Sequence, residues 1–233
     1  MAYAGGRALK TPIGTFYGPN ITPHPETGIG RWSEADFMRG MRHGRRPDGT
    51  NYFPTFPYTS FTSITDGDLR DLWAYLRTLP PSRKRNRDHD LSFFFRWRPL
   101  VAVWKWFFFT PGAQVSLEGA TDPVNRGAYL VRALGHCGEC HTPRNALGGP
   151  KRNRFLAGAK GMPNLTPANL KTWTDAGLKE FFLTGVTPDG DATAVEMEEV
   201  VRNTTSQLTA EDLQALIAYL RTLPAIAHEP RSK

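Results

Sequence analysis

Four blocks of this 233-residue sequence recur in the same order at a nearly constant spacing, and that repetition limits the fold more than any other feature. Asn20-Ile21-Thr22-Pro23 returns as Asn164-Leu165-Thr166-Pro167, 144 residues later. Trp32-Ser33-Glu34-Ala35-Asp36 returns as Trp173-Thr174-Asp175-Ala176-Gly177, and Pro47-Asp48-Gly49 as Pro188-Asp189-Gly190, both at an offset of 141. Thr65, Asp68-Leu69 and the run Ala74 to Pro80 return as Thr209, Asp212-Leu213 and Ala218 to Pro224, again at 144. Such an order implies two copies of one small domain. We expect them at 1–80 and 118–233, with a linker at 81–117.

Each copy reads as helices and loops. Leu213, Leu216, Ile217 and Leu220 stand at the i, i+3, i+4, i+7 spacing of an amphipathic helix. Thr209 and Asp212 occupy N-cap and N3 positions, and Pro224 marks the stop. Thr65, Asp68 and Pro80 repeat this in the first copy. Ser33 and Thr174 cap shorter helices, and Asp122-Pro123 opens another that runs to Gly135, since proline suits the first helical turn. Gly127 on that helix lets it approach the last helix near Tyr219. No segment alternates convincingly with a period of two, so the expected fold class is all-α. The linker holds Pro80-Pro81, a basic run at Arg83, Lys84, Arg85 and Arg87, and an aromatic segment from Leu91 to Phe109. Arg96, Arg98 and Lys105 interrupt that segment, which makes it a poor spanning helix.

Charge is unevenly distributed. Residues 1–117 carry 16 basic and 9 acidic side chains, whereas residues 118–233 carry 13 of each, so the whole excess of +7 lies in the first part. It suits docking to an acidic partner or an anionic membrane surface, or simply a solvated linker. Nucleic acid is not an expected partner.

The chemistry converges on His136-Cys137-Gly138-Glu139-Cys140-His141. Cys137 and Cys140 are the only cysteines, too close together to staple a fold of this size. C-x-x-C-H is the attachment signal for c-type haem. Two residues between the thiols, in a turn of helix, set the sulfurs at the separation of the two vinyl groups. The following histidine, His141, then falls under the iron. A structural zinc needs four nitrogen or sulfur ligands, and only one cysteine pair exists. A thioredoxin-like dithiol expects a βαβ setting, and none is visible. An iron with one histidine takes a sixth ligand or keeps an open position. Met197, placed by its spacing in a loop before the last helix, is the candidate thioether. A His/Met iron is saturated and carries electrons; an open iron suits a peroxidase-like haem enzyme.

The stretches Asn125 to Val131, His136 to Asn145, Pro163 to Pro167, Pro188 to Gly190 and Met197 to Asn203 together resemble the diheme c-type cytochromes, including the cytochrome c subunits of periplasmic alcohol and gluconate dehydrogenases. The resemblance covers essentially the whole chain. It implies tandem class I cytochrome c-like domains, haem c on Cys137 and Cys140, His141 proximal and Met197 distal. It implies an electron-transfer protein or subunit rather than a catalyst, passing electrons from a dehydrogenase toward a quinone or terminal oxidase of the respiratory chain. The expected location is the periplasm or the outer face of the inner membrane, with peripheral membrane association as a further expectation. Arg144 and Trp173 are expected near the haem propionates.

The first copy departs from this pattern. Shifted by 144, its attachment motif would fall before Met1, so a second haem needs residues upstream, and we expect one haem on this chain. No apolar leader segment follows Met1. Met197 maps onto Phe53-Pro54-Thr55-Phe56, which contains no methionine, and the later position used in relatives is Ile64. Met38 and Met41 lie on a helix where core packing is expected, and His24 and His43 could serve as ligands only in an unusual arrangement.

Overall fold

The computed structural model describes residues 1–112 and 116–228, which form two compact units, Met1–Ala113 and Gln114–Lys233. The first unit contains β1 (Ala8–Thr11), β2 (Gly14–Tyr17), α1 (Glu34–His43), α2 (Tyr58–Phe61), α3 (Asp66–Thr78), β3 (Asp90–Leu91) and α4 (Pro99–Phe108). The second contains α5 (Asp122–Tyr129), α6 (Gly138–His141), α7 (Pro167–Leu170), α8 (Asp175–Thr184), α9 (Val195–Asn203) and α10 (Ala210–Thr222).

The predicted caps form. Ser33 and Asp36 make a reciprocal capping box on α1, and the Thr174 hydroxyl accepts from Gly177 N on α8. Thr65 and Thr209 cap α3 and α10 through Asp68 N and Asp212 N. Such a cap contributes about 1 kcal/mol by satisfying an N–H that has no intrahelical partner. The sequence repeat recurs as repeated hydrogen bonding. Thr22 N donates to Asn20 Oδ1 (3.0 Å), and the Asn20 amide donates to Ser82 O (2.8 Å). One repeat length later, Thr166 N donates to Asn164 Oδ1 (2.7 Å), and the Asn164 amide donates to Ile226 O (2.7 Å). In both copies a buried asparagine therefore clamps the segment that leaves the long helix.

The helix-rich architecture agrees with the all-α expectation, and two features add to it. The fold is helix-rich but includes a small antiparallel sheet of order β1-β2-β3, joined by the register pairs Leu9↔Phe16 and Thr15↔Asp90. Strands of four, four and two residues are too short to show a period-two pattern, so sequence patterning missed them. The stretch read as a linker is also not free. Leu91 and Val101 are buried with Phe16 and Phe53 in one core cluster, and Asn86 Oδ1 accepts from Asn20 N (2.6 Å). Residues 82–101 therefore strap the first unit and complete its core. At the place where the second copy has Met197, Phe53 instead packs edge-on against Phe16 (5.3 Å) and His89 (5.9 Å). Met41 and Ile64 are core residues, and His24 is held in a local turn with Thr27.

In the second unit α5 crosses α10 at Gly127, as expected from the missing side chain. A Cβ there would stand 1.9 Å from Ala215 O and 2.7 Å from Tyr219 Cβ. Arg126 fixes the crossing with a two-pronged ion pair to Asp212, Nε–Oδ1 and Nη2–Oδ2 both 2.7 Å. The hydrogen bonds from Arg126 hold the Asp212 carboxyl below its ordinary value. A depressed carboxylate stabilises the fold above its unfolded pKa, and the benefit is lost as pH falls through the folded value. Because Arg126 is half-exposed, Asp212→Asn is expected to cost no more than about 1 kcal/mol in chemical denaturation at neutral pH. The difference from the parent should vanish in strong acid.

Candidate haem site

The attachment motif is placed by an irregular helix end. After α5 the backbone widens into a π-helical turn over Leu130–Leu134, in which Gly135 N donates to Leu130 O (2.7 Å). Such turns insert one residue and are frequent at functional sites. His136 then takes the left-handed conformation (φ 40°), and Cys137 N donates to Val131 O (3.0 Å). This closure spans the seven residues Val131 to Cys137 and places histidine in the left-handed position where a helix end usually has glycine. The chain turns at once into α6, whose single turn carries Cys140 and His141, with Cys137 at its N-cap. The Phe155 ring lies against Gly138, where a Cβ would come within 2.6 Å of it.

His141 is the fixed point of the site. It is 7% exposed, and its Nδ1 lies 2.8 Å from Pro163 O. A carbonyl only accepts, so Nδ1 carries the proton and Nε2 presents its lone pair. A histidine ligand oriented by a backbone carbonyl in this way is the usual arrangement around a metal. Burial holds His141 below its ordinary pKa against the opposing pull of the Pro163 bond, so the imidazole is neutral at pH 7. The loop beyond is tied to this turn: Gly158 N donates to His141 O (2.8 Å), and Leu156 N to the Thr142 hydroxyl (3.1 Å). Leu156 is fully buried with a φ of 59°, a costly conformation for a branched side chain that only tight surroundings maintain.

Both thiols are free. Desolvation pushes Cys137 up to about 11 and raises Cys140 as well. Redox dithiols depend instead on a depressed thiol pKa, the opposite direction from the one desolvation gives here. Among the described residues no group of three or more His, Cys, Asp or Glu is disposed to hold a metal ion. A neutral buried imidazole with a free Nε2, next to two free thiols on one turn, matches the donor set of covalently attached haem.

The family comparisons agree. The cytochrome c family model matches residues 124–224. A diheme cytochrome c-type protein of Cereibacter sphaeroides is 45% identical over 233 aligned positions, which cover 97% of this chain and 77% of the relative. The chain belongs to the diheme c-type cytochrome family. It is also 37% identical to the fructose dehydrogenase cytochrome subunit of Gluconobacter japonicus, across 96% of this chain and 48% of that one. The cytochrome c subunit of a quinone alcohol dehydrogenase of Gluconobacter oxydans is likewise 37% identical, across 96% and 50%. The chain thus spans about half the length of these two dehydrogenase subunits.

In this cytochrome Met197 stands in the first turn of α9 rather than in a loop, and it is half-buried. Glu196 and Glu198 favour helix there, because carboxylates suit the positive end of the helix dipole. No side chain caps α9, so its first turn is held less firmly than those of α8 and α10. Arg144 is held by the attachment turn and the loop after it. Its guanidinium bonds Glu139 Oε2 (2.6 Å) and Gly148 O (2.9 Å), which ties the attachment turn to the following loop. Trp173 packs edge-on against Phe181 (5.4 Å).

Sequence reasoning missed Arg132 and Pro163. Arg132 lies over the Phe155 ring (4.8 Å) and donates to the Tyr219 hydroxyl (2.5 Å), so it fastens the π-turn to α10. Nothing local marks it. Pro163 adjoins the repeated Asn164 block, and Pro19 stands at the same place before Asn20. The repeat itself was the available signal.

Proposed function

We propose that this chain is an electron-transfer cytochrome, with one haem c bound through Cys137 and Cys140 and axially ligated by His141 and Met197. The observation that carries this reading is the His141–Pro163 hydrogen bond, which aims a neutral imidazole nitrogen away from the backbone that holds it. Haem bound there supplies a one-electron iron couple. The protein's own part is to fix the ring, exclude water from it and hold the attachment turn rigid. Pro163 O keeps His141 in one tautomer, the Arg132–Tyr219 bond anchors the preceding turn, and the Leu156 N–Thr142 bond ties the following loop to it. The relatives named as dehydrogenase cytochrome subunits support a dehydrogenase as donor, and the reading adds a periplasmic setting and a respiratory quinone or oxidase as acceptor.

The test uses exported, haem-loaded protein. Mass spectrometry should show a single haem adduct. Met197→Ala should keep that adduct but lose the weak long-wavelength ferric absorbance of sulfur–iron ligation. It should also lower the reduction potential and let cyanide bind readily. If the parent already binds cyanide as fast as this variant, Met197 is not the sixth ligand and the iron is open.

A further inference from the structure

Most of the arginines around the attachment turn are neutralised, and one is not. Arg126, Arg144 and Arg221 each face a carboxylate, at 2.7 Å from Asp212, 2.6 Å from Glu139 and 2.8 Å from Asp175. Among the described residues Arg132 bonds no carboxylate. Its Nε donates to the Tyr219 hydroxyl (2.5 Å), and its guanidinium lies over the Phe155 ring (4.8 Å) and the Tyr219 ring (5.6 Å). Burial raises the Tyr219 phenol above its ordinary pKa, so this partner is neutral at pH 7 and supplies no countercharge. Arg132 is itself half-buried. Holding an unneutralised guanidinium partly out of water costs free energy, and two ring faces and one neutral hydroxyl return only part of it.

That cation is set against the attachment turn in two ways. The carbonyl just ahead of it, Val131 O, accepts from Cys137 N (3.0 Å), and Cys137 Sγ packs back on the same π-turn, 3.5 Å from where a Gly135 Cβ would stand. The Phe155 ring under the guanidinium also lies against Gly138, the next residue of the motif. We propose that Arg132 sets the reduction potential of the site: its fixed positive charge beside Cys137 favours the reduced iron of a haem attached there. Gaining an electron lowers the charge on the iron by one, so its repulsion from a nearby cation falls on reduction. Half-burial between aromatic faces limits how far water screens that repulsion, and a guanidinium stays charged at any working pH. Burial and the groups surrounding a haem are levers on its potential. This electrostatic role is distinct from fastening the π-turn to α10, and it rests on the haem site proposed above.

Exported, haem-loaded full-length protein is poised with a mediator couple at the midpoint of the parent, and the ferric-to-ferrous ratio is read from the visible spectrum. Arg132→Gln, which keeps a donor for Tyr219 but removes the charge, should raise that ratio about fivefold. Arg132→Lys, which keeps the charge but loses the planar fork, should stay within about twofold of the parent. Lys171→Gln removes an exposed charge from the same unit and should also stay within about twofold, because an exposed charge is screened. If the glutamine variant sheds its haem, Arg132→Met carries the same expectation. Adduct mass and Soret band keep the two readings apart: a parent without covalent haem sinks the haem site itself. A charge-free variant that keeps its adduct and shows the parent's ratio overturns the role of Arg132 alone. So does a lysine variant that shifts as far as the glutamine one, because Arg132 then acts only through its bond to Tyr219. A Lys171 variant that shifts equally also overturns it, since net charge would then account for the effect.

Discussion

Exported protein carrying alanine at both Cys137 and Cys140 is expected to lose all covalent haem. Its mass should equal that of the polypeptide alone, and acid–organic extraction should leave no Soret absorbance with the protein. Both thiols lie on or beside α6, which has four residues. A helix this short does not persist alone, because nucleation costs more than one turn returns. It is held at its start by the left-handed His136 and the Cys137 N–Val131 O bond, and at its end by the Gly158 N–His141 O bond. Thioether tethers would fix it further, so the apo variant should also be less stable, with earlier loss of protection from proteolysis around residues 136–145. Haem that stays attached in this variant would sink the assignment of the site. A noncovalent haem that is removed by extraction would leave His141 as a ligand and remove only the attachment.

Gly127→Val is expected to be the most damaging single substitution remote from the attachment turn, costing roughly 3 kcal/mol or more in denaturant unfolding of the haem-loaded protein. Any β-carbon there would overlap Ala215 O, which lies 1.9 Å from the ideal position, and would press on Ala215 C at 2.6 Å. Both are backbone atoms of α10, so no rotamer change relieves the clash. The two helices must separate, and the Arg126–Asp212 pair and the Arg132–Tyr219 bond span the same gap. Haem incorporation should fall with stability, because Arg132 belongs to the π-turn that positions Cys137. A midpoint unchanged from the parent would show that α5 and α10 do not meet so closely. Gly127→Ala, which adds only the β-carbon, should fall between the two.

The parts of the fold that were legible share one property: they depend on residues close together along the chain. Ser33, Thr65, Thr174 and Thr209 announce helix starts because a cap involves residues three apart. The chemistry proposed for Cys137, Cys140 and His141 rests on the same kind of short-range pattern, since all three fall within one turn. The Asn20 and Asn164 blocks were visible as a repeat, although their role as clamps was not, because their partners Ser82 and Ile226 lie some 62 residues away.

By itself, then, the sequence determined the internal repeat and the helix starts, and it supplies the residues proposed for attachment. Tertiary structure alone decided that β3 and α4 close the first unit's core. It also decided that Pro163 O sets the tautomer of His141, that Arg144 turns back to Glu139, and that Arg98 and Lys105 turn inward while Trp106 and Phe107 turn outward. The physical reason is range. Backbone propensity and capping act over a few residues, whereas which face of α4 is wet depends on carbonyls and rings supplied by residues 43–58, half a domain earlier in the chain.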